Sequence, residues 1–368
     1  QLEKALDRHD DLFLANWTSV SGGVGLTFDA IHLNGPGRRL MAGLVLDRVA
    51  DARAQPAAGR IQRVAVSEPS RDAVGVVIAV SVTEPRLESR VTVTGCGAGS
   101  TSIRLAPVKR GEATSQVLAV PLDHLGRVCL RSDDPAHIEV KLLALIANSQ
   151  GTVFSPKSRP GACALPSNPT NQRRCISIAV PDSASAQLLF VRTRSDRIRS
   201  GRCDRPLPVS SQLSASAGEL VLVQPDELGE LCWSSGDVKV TPVMSSVAGI
   251  RAVELATLFE GRPLEVAAGD PVRIPTPQID GEIPIVRIRI RAKTAGALRV
   301  GRCGRPGRSA TVLRFDRKLR ASTTVFGFAN HDLCIISSVD AKLTADVVGY
   351  ASREMVRTVL PRRIYSTG

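Results

Sequence analysis

The stretch "VRIRIRAK", residues 286–293, alternates apolar and basic side chains without a break. In an extended backbone successive side chains point to opposite faces, so Val286, Ile288 and Ile290 share one face and Arg287, Arg289 and Arg291 the other. The pattern predicts a strand with one face on a core and the other in water. Two earlier segments carry related runs, "VIAVSVTEP" at 77–85 and "QLLFVRTRS" at 187–195, and each of the three is followed by a cysteine: Cys96, Cys203 and Cys303.

A second cysteine follows each of these in a similar setting, within "GRVCLRS" at 126–132, "GELCWSS" at 229–235 and "HDLCIIS" at 331–337. Equivalent cysteines recur about every 100 residues, which marks three tandem copies of one unit. Flanking segments keep the register: "SQVLAVPLDHLG" (115–126) matches "GELVLVQPDELG" (218–229) and "STTVFGFANHD" (322–332), and Lys141, Lys239 and Lys342 fall at one equivalent place. The segments are short, rich in valine, isoleucine and threonine, and bounded by glycine, proline, aspartate and serine, as strands joined by turns are. The expected fold is all-β, with three tandem β-sandwich or barrel-like domains of about 100 residues, each with an internal disulfide. The expected boundaries are 45–150, 151–253 and 254–354. Residues 1–44 are an N-terminal segment belonging to the first domain or forming an assembly arm, with a short helix near residues 2–17, and 355–368 form a C-terminal strand resembling the start of a further repeat.

The 368 residues are 43% hydrophobic and 23% charged, an ordinary globular balance, but only 3% aromatic and with a formal net charge of +13. Most of the basic residues are arginine, a bias that suits a surface meeting carboxylates or phosphates. No apolar run reaches the ~18 residues that a spanning helix needs; the longest, near 73–82, is interrupted by Gly75 and Ser81. The chain opens on Gln1 without a visible signal peptide, as a processed secreted chain would.

The eight cysteines include no Cys-x-x-Cys pair, which argues against zinc ribbons and thioredoxin-like sites and for disulfides in an oxidising compartment. The repeat pattern predicts the bridges Cys96–Cys129, Cys203–Cys232 and Cys303–Cys334. Cys163 and Cys175 have no counterparts elsewhere and are expected to form a private bridge in the second unit.

The first unit, with "VIAVSVTEPRLESRVTVTGCG" followed by "VLAVPLDHLGRVCLRS", resembles a repeated domain of secreted and cell-surface proteins of high-GC Gram-positive bacteria. The "ADVVGYAS" of the third unit, with Gly349 and Tyr350, resembles the Gly-Tyr ending of that domain. "LDRVADAR" at 46–53 and the terminal "RRIYSTG" at 362–368 resemble its opening strand. The resemblance covers residues 45–368 and is weaker in the second unit, which lacks the Gly-Tyr ending. It implies an extracellular, disulfide-bonded β-module and supplies no catalytic residues. A terminal opening strand without its domain is expected either to be a truncation or to complete a sheet elsewhere, in the third unit or in a neighbouring subunit, with Arg363, Ile364 and Tyr365 as the assembly strand.

No constellation suggests catalysis. His9, His32, His124, His137 and His331 are scattered without metal-ligand spacing, and neither a Gly-x-Ser-x-Gly elbow nor a phosphate-binding P-loop occurs. No enzyme, metal or cofactor is expected. The chemically suggestive signal is arginine: Arg192, Arg194, Arg202 and Arg205 in the second unit, and Arg287, Arg289, Arg291, Arg302 and Arg305 in the third, form a stripe able to meet an anionic partner. The same stripe also reads as a solvated sheet face that discourages edge aggregation. The expected role is an extracellular structural or surface-assembly protein, a coat, filament or surface-array subunit that partners itself or neighbouring surface proteins. The alternative is an adhesin or binding module for anionic cell-wall polymer or carbohydrate, carried by a cell or a phage. Nucleic acid is not expected as a partner, because aromatic stacking groups are scarce.

Overall fold

The computed structural model describes residues 61–367, apart from several connecting segments of which 161–173 and 203–211 are the longest. Residues 1–44, the "LDRVADAR" segment, Cys163, Cys203, Arg194 and Arg205 lie outside the described residues, as do the side chains of Cys175 and Arg202. The described residues form strands and no helix, in agreement with the all-β expectation. None of them forms a helix long and apolar enough to cross a membrane.

The strands are numbered in chain order. The first repeat contains β1 (Ile61–Ala65), β2 (Ala73–Thr83), β3 (Val91–Gly95), β4 (Ser102–Arg104), β5 (Ala113–Pro121), β6 (Arg127–Ser132) and β7 (His137–Ala147). The second contains β8 (Thr152–Phe154), β9 (Ser158–Pro160), β10 (Arg174–Ile178), β11 (Ala186–Thr193), β12 (Ile198–Arg202), β13 (Gln212–Leu213), β14 (Glu219–Val223), β15 (Glu230–Trp233) and β16 (Val238–Ser246). The third contains β17 (Ile250–Thr257), β18 (Leu264–Val266), β19 (Pro271–Ile274), β20 (Glu282–Ala292), β21 (Gly296–Arg302), β22 (Ser309–Phe315), β23 (Arg320–Phe326), β24 (Leu333–Ser337) and β25 (Ala341–Ser352). The chain ends in β26 (Val356–Ser366). Strand β17, which spans the expected boundary at 254, joins the sheet of β25.

In the third repeat the antiparallel pairs are β17 with β25, β19 with β24, β20 with β23, and β21 with β22. These are the nested pairs of one long antiparallel ribbon, dealt alternately into two sheets of order β17-β25-β20-β23 and β19-β24-β21-β22. A ribbon rolled in this way is a jelly roll. The second repeat has the same pairs, β8 with β16, β10 with β15, β11 with β14 and β12 with β13, plus an added edge strand, β9. The first repeat pairs β1 with β6, β2 with β5 and β3 with β4. Its outermost pair is supplied differently: the partner of β7 is β26.

The repeats match down to their irregularities. The long last strand of each carries a β-bulge at one place, leaving Leu143, Val243 and Val348 out of the ladder with β2, β11 and β20. A bulge bends its strand and strengthens the local twist, helping a sheet to curl around a core. The cysteines share a register too. Gly301 lies opposite Cys334, Gly201 opposite Cys232 and Thr94 opposite Cys129, and in each case the first cysteine stands two residues farther on. Cys96–Cys129 and Cys303–Cys334 are bonded as expected, and Cys232 is also in a disulfide. The Cys96–Cys129 and Cys303–Cys334 bridges have sequence separations of 33 and 31, and closing loops of that length is worth about 4 kcal/mol each in the chain-entropy model.

Strands buried on one face keep the period-2 signature, as in β24, where Leu333, Ile335 and Ser337 are buried and Cys334 and Ile336 partly so. Strands covered on both faces lose it. The second repeat shows why: Leu189, Val191, Val221 and Val223 pack against Leu231 and Trp233 inside their own sandwich. On the opposite face of the same sheet, Leu188, Phe190, Leu220 and Leu222 enter a core cluster that runs through all three repeats. Burying four such side chains is worth on the order of 6–12 kcal/mol as an upper estimate.

Candidate functional site

The feature on which any role in assembly must rest is the way the three repeats are joined. Strands β5, β14 and β23 are equivalent edge strands of their sheets, and each touches the other two. An open sheet edge presents unpaired backbone groups that template aggregation. Here three such edges converge on one line and cover one another.

The centre holds polar groups that fix its geometry. Glu219, at the start of β14, is buried together with Arg287 of β20, with side-chain exposures of 0% and 4%. Arg287 Nε donates to Glu219 Oε1 at 2.8 Å and its Nη2 to Oε2 at 3.2 Å, while Ser322 Oγ of β23 donates to Oε2 at 2.6 Å. A buried ion pair with these hydrogen bonds contributes little net stability over apolar packing, but leaving one partner alone costs several kcal/mol, so it fixes how the second and third repeats meet. The first and third repeats are tied by Ser115 Oγ, which donates to the Thr311 carbonyl at 2.7 Å, and by Lys141 Nζ, 3.4 Å from the Ser309 carbonyl.

Gly349 and Tyr350, the pair that resembles the family ending, have separate tasks at this junction. A Cβ on Gly349 would stand 2.3 Å from a Leu222 methyl of the second repeat and 2.4 Å from the Arg251 carbonyl, so a side chain there would push β25 away from both. Tyr350 lies under Arg251, whose guanidinium carbon sits 4.6 Å from the ring centroid. Arg251 makes a two-pronged ion pair with Glu282, at 2.8 and 2.6 Å. The hydrogen bond from Arg251 and its charge hold the Glu282 carboxyl below the usual glutamate range, against a smaller opposing effect of burial.

The terminal strand pairs with no strand of the third repeat; it runs antiparallel to β7 of the first repeat. Its place is the one that β8 and β17 hold in the other two. The match extends to a skip in register: Thr358 to Arg362 of β26 lie opposite Ala144 to Leu142 of β7, just as Ala252 to Ala256 lie opposite Gly349 to Val347 of β25. Pro361, which has no N–H to give, falls inside this skip. Met355 and Val356 are buried at one end, with the Met355 carbonyl accepting from Ala147 N–H at 2.7 Å. At the other end Thr367 is buried; its N–H donates to the Ile138 carbonyl and its Oγ1 accepts from Ile138 N–H at 2.8 Å. Of the expected assembly strand, Arg363 is exposed opposite Lys141, and Ile364 and Tyr365 pack on the core. Burial raises the Tyr365 hydroxyl above its ordinary value.

The arginine stripe divides. The expectation that Arg287, Arg289 and Arg291 form one solvated row is corrected at its inner end, because the second repeat covers that face: Arg287 is committed to Glu219, and Arg289 Nη2 pairs with Asp346 at 2.6 Å. Arg291 and Arg305 are exposed, Arg302 is half-buried, and Arg192 is half-buried beside the first repeat. His124 and His331 are exposed in turns. Reading the sequence missed Glu219; the signal available was one carboxylate opening an otherwise apolar strand, "ELVLV".

No protein-family model matches the chain, and no curated protein matches it. Among solved structures, it is similar to the crystal structure of the STIV MCP at 7% identity and a TM-score of 0.19, over 81% of this chain and 94% of that one. The infectious bursal disease virus VP2 subviral particle is similar at 10% identity and 0.19, over 78% and 74%. A third likeness, described as the triple jelly roll fold and turret assembly in an archaeal virus, has 11% identity and 0.17, over 80% and 89%. Likenesses at these TM-scores carry no argument about this chain.

Proposed function

We propose that this chain is an extracellular structural protein, the subunit of a coat, filament or surface array, built of three jelly-roll domains of about 100 residues with no catalytic role. The observation that carries the proposal is the convergence of β5, β14 and β23 together with the return of β26 to β7. Joined in this way, three repeats of like strand pairing surround one line. A body of that kind can make one type of lateral contact three times over, which is the requirement for tiling a surface. The disulfides Cys96–Cys129 and Cys303–Cys334 support an oxidising compartment and toughen the unit outside the cell.

The test is the association state of the purified, oxidised protein. Sedimentation velocity and negative-stain electron microscopy over a concentration series should show concentration-dependent sheets, rings or filaments with a repeating three-lobed unit. Monomers alone at every concentration, with and without salt, would overturn the proposal.

A further inference from the structure

Beyond this structural role, we propose that the cleft between the first and second repeats is a binding site for a phosphate-type oxyanion, gripped by Arg104 and Arg192. The cleft has a volume of about 220 Å³ and is lined by Ser102 and Arg104 of β4, Phe190 and Arg192 of β11, and Thr241 of β16. At ~30 Å³ per water it holds about seven, room for a phosphate or pyrophosphate group and not for a drug-sized ligand.

Its charge is unbalanced. Among the described residues neither Arg104 nor Arg192 has an ion-pair partner, whereas nearby Arg90 sits 3.5 Å from Glu88. Burial lowers the affinity of the Arg192 guanidinium for its proton, and the positive charges of Arg90 and Arg104 lower it further. Glu219, which lies opposite the neighbouring Val191 in the ladder, gives both of its oxygens to Arg287 and Ser322. Folding thus assembles two guanidinium groups with no counter-ion among the described residues, at a cost that an anion would remove.

The donors also suit phosphate better than carboxylate. One guanidinium fork satisfies a carboxylate. Two forks with the hydroxyls of Ser102 and Thr241 ask for a ligand with more acceptor oxygens and more charge. Arg192 is held in place from behind: Gly218 has φ +105°, and a Cβ there would stand 2.4 Å from the Phe190 ring and 3.1 Å from Arg192 Cγ.

Thermal unfolding and calorimetric titration of the intact oxidised protein with sodium pyrophosphate, against acetate and chloride at equal ionic strength, test the site. Pyrophosphate should raise the unfolding temperature saturably, by mass action on the folded state, and acetate should not exceed chloride. Arg104→Gln or Arg192→Gln should weaken binding about tenfold each, the loss of one charge-assisted contact. The double variant should lose the pyrophosphate response while unfolding in chloride no earlier than the parent, because repulsion has been relieved. Arg291→Gln, which removes an exposed charge elsewhere, should keep the full response. A parallel titration with poly(glycerol phosphate) separates a free terminal phosphate from a polymer diester, and stabilisation by either supports the site. An equal pyrophosphate response in parent and double variant, or none above chloride in the parent, would sink the proposal.

Discussion

The third repeat takes its outermost strand, β17, from the segment directly before it, whereas the first takes the equivalent strand, β26, from the far end of the chain. The Ile138–Thr367 hydrogen bond that secures β26 joins residues 229 positions apart. Moving from the closure of the third repeat to that of the first roughly doubles the loop, and each doubling costs only about 0.6 kcal/mol of closure entropy. The two closures are therefore nearly equal in equilibrium terms. They differ in folding, since non-local pairing is slow and the first sheet is completed only after the other two repeats have been made.

Deleting residues 355–368 should break this comparison with the largest effect. It removes a whole ladder partner of β7, together with the buried Met355 and Val356, and leaves β7 as an open edge. Hydrogen exchange should show the amides of β7 and β2 losing protection and those of β25 and β20 keeping theirs. Equal protection in both repeats would mean that β26 does not hold the first sheet together. Adding a peptide of residues 355–368 should restore protection to β7.

Glu219→Ala should come next, at about 3–5 kcal/mol, because it leaves Arg287 charged and buried without a partner. Urea denaturation would measure it. Replacing both residues, as Glu219→Leu with Arg287→Met, should recover most of the loss. A single-variant cost below about 1 kcal/mol would mean that water reaches the pair.

The smallest effect concerns acid. Glu282, tied to Arg251 on β17, has a lowered carboxyl pKa, so its contribution is present above the ordinary glutamate value and is lost as pH falls through the lower folded value. Thermal scans from pH 5 down to about pH 3 should show the unfolding temperature falling slightly more steeply in the parent than in Glu282→Gln. Both side chains are partly exposed, so the difference is modest and shrinks in salt.

Much of this molecule can be read in its residues. Alternation in "VRIRIRAK" made β20 a strand, the spacing of Cys303 and Cys334 made a bridge, and self-similarity made three copies of one unit. The candidate sites were less legible. Alternation puts Arg287 and Arg291 on one face of β20 but is silent on what covers it; the second repeat reaches Arg287 and stops short of Arg291. The kinship of "RRIYSTG" to an opening strand could be read, but not which sheet it would join, because every repeat offers a last strand of the same kind.

Local chemistry, the two-residue period, turn residues and cysteine spacing, was thus determined by the sequence, since each depends on near neighbours in the chain. The pairing of β26 with β7, the meeting of β5, β14 and β23, and the pairing of Arg287 with Glu219 were decided by the tertiary structure. Each is a choice among similar edges and faces, and only the packing of the three repeats around one line makes that choice.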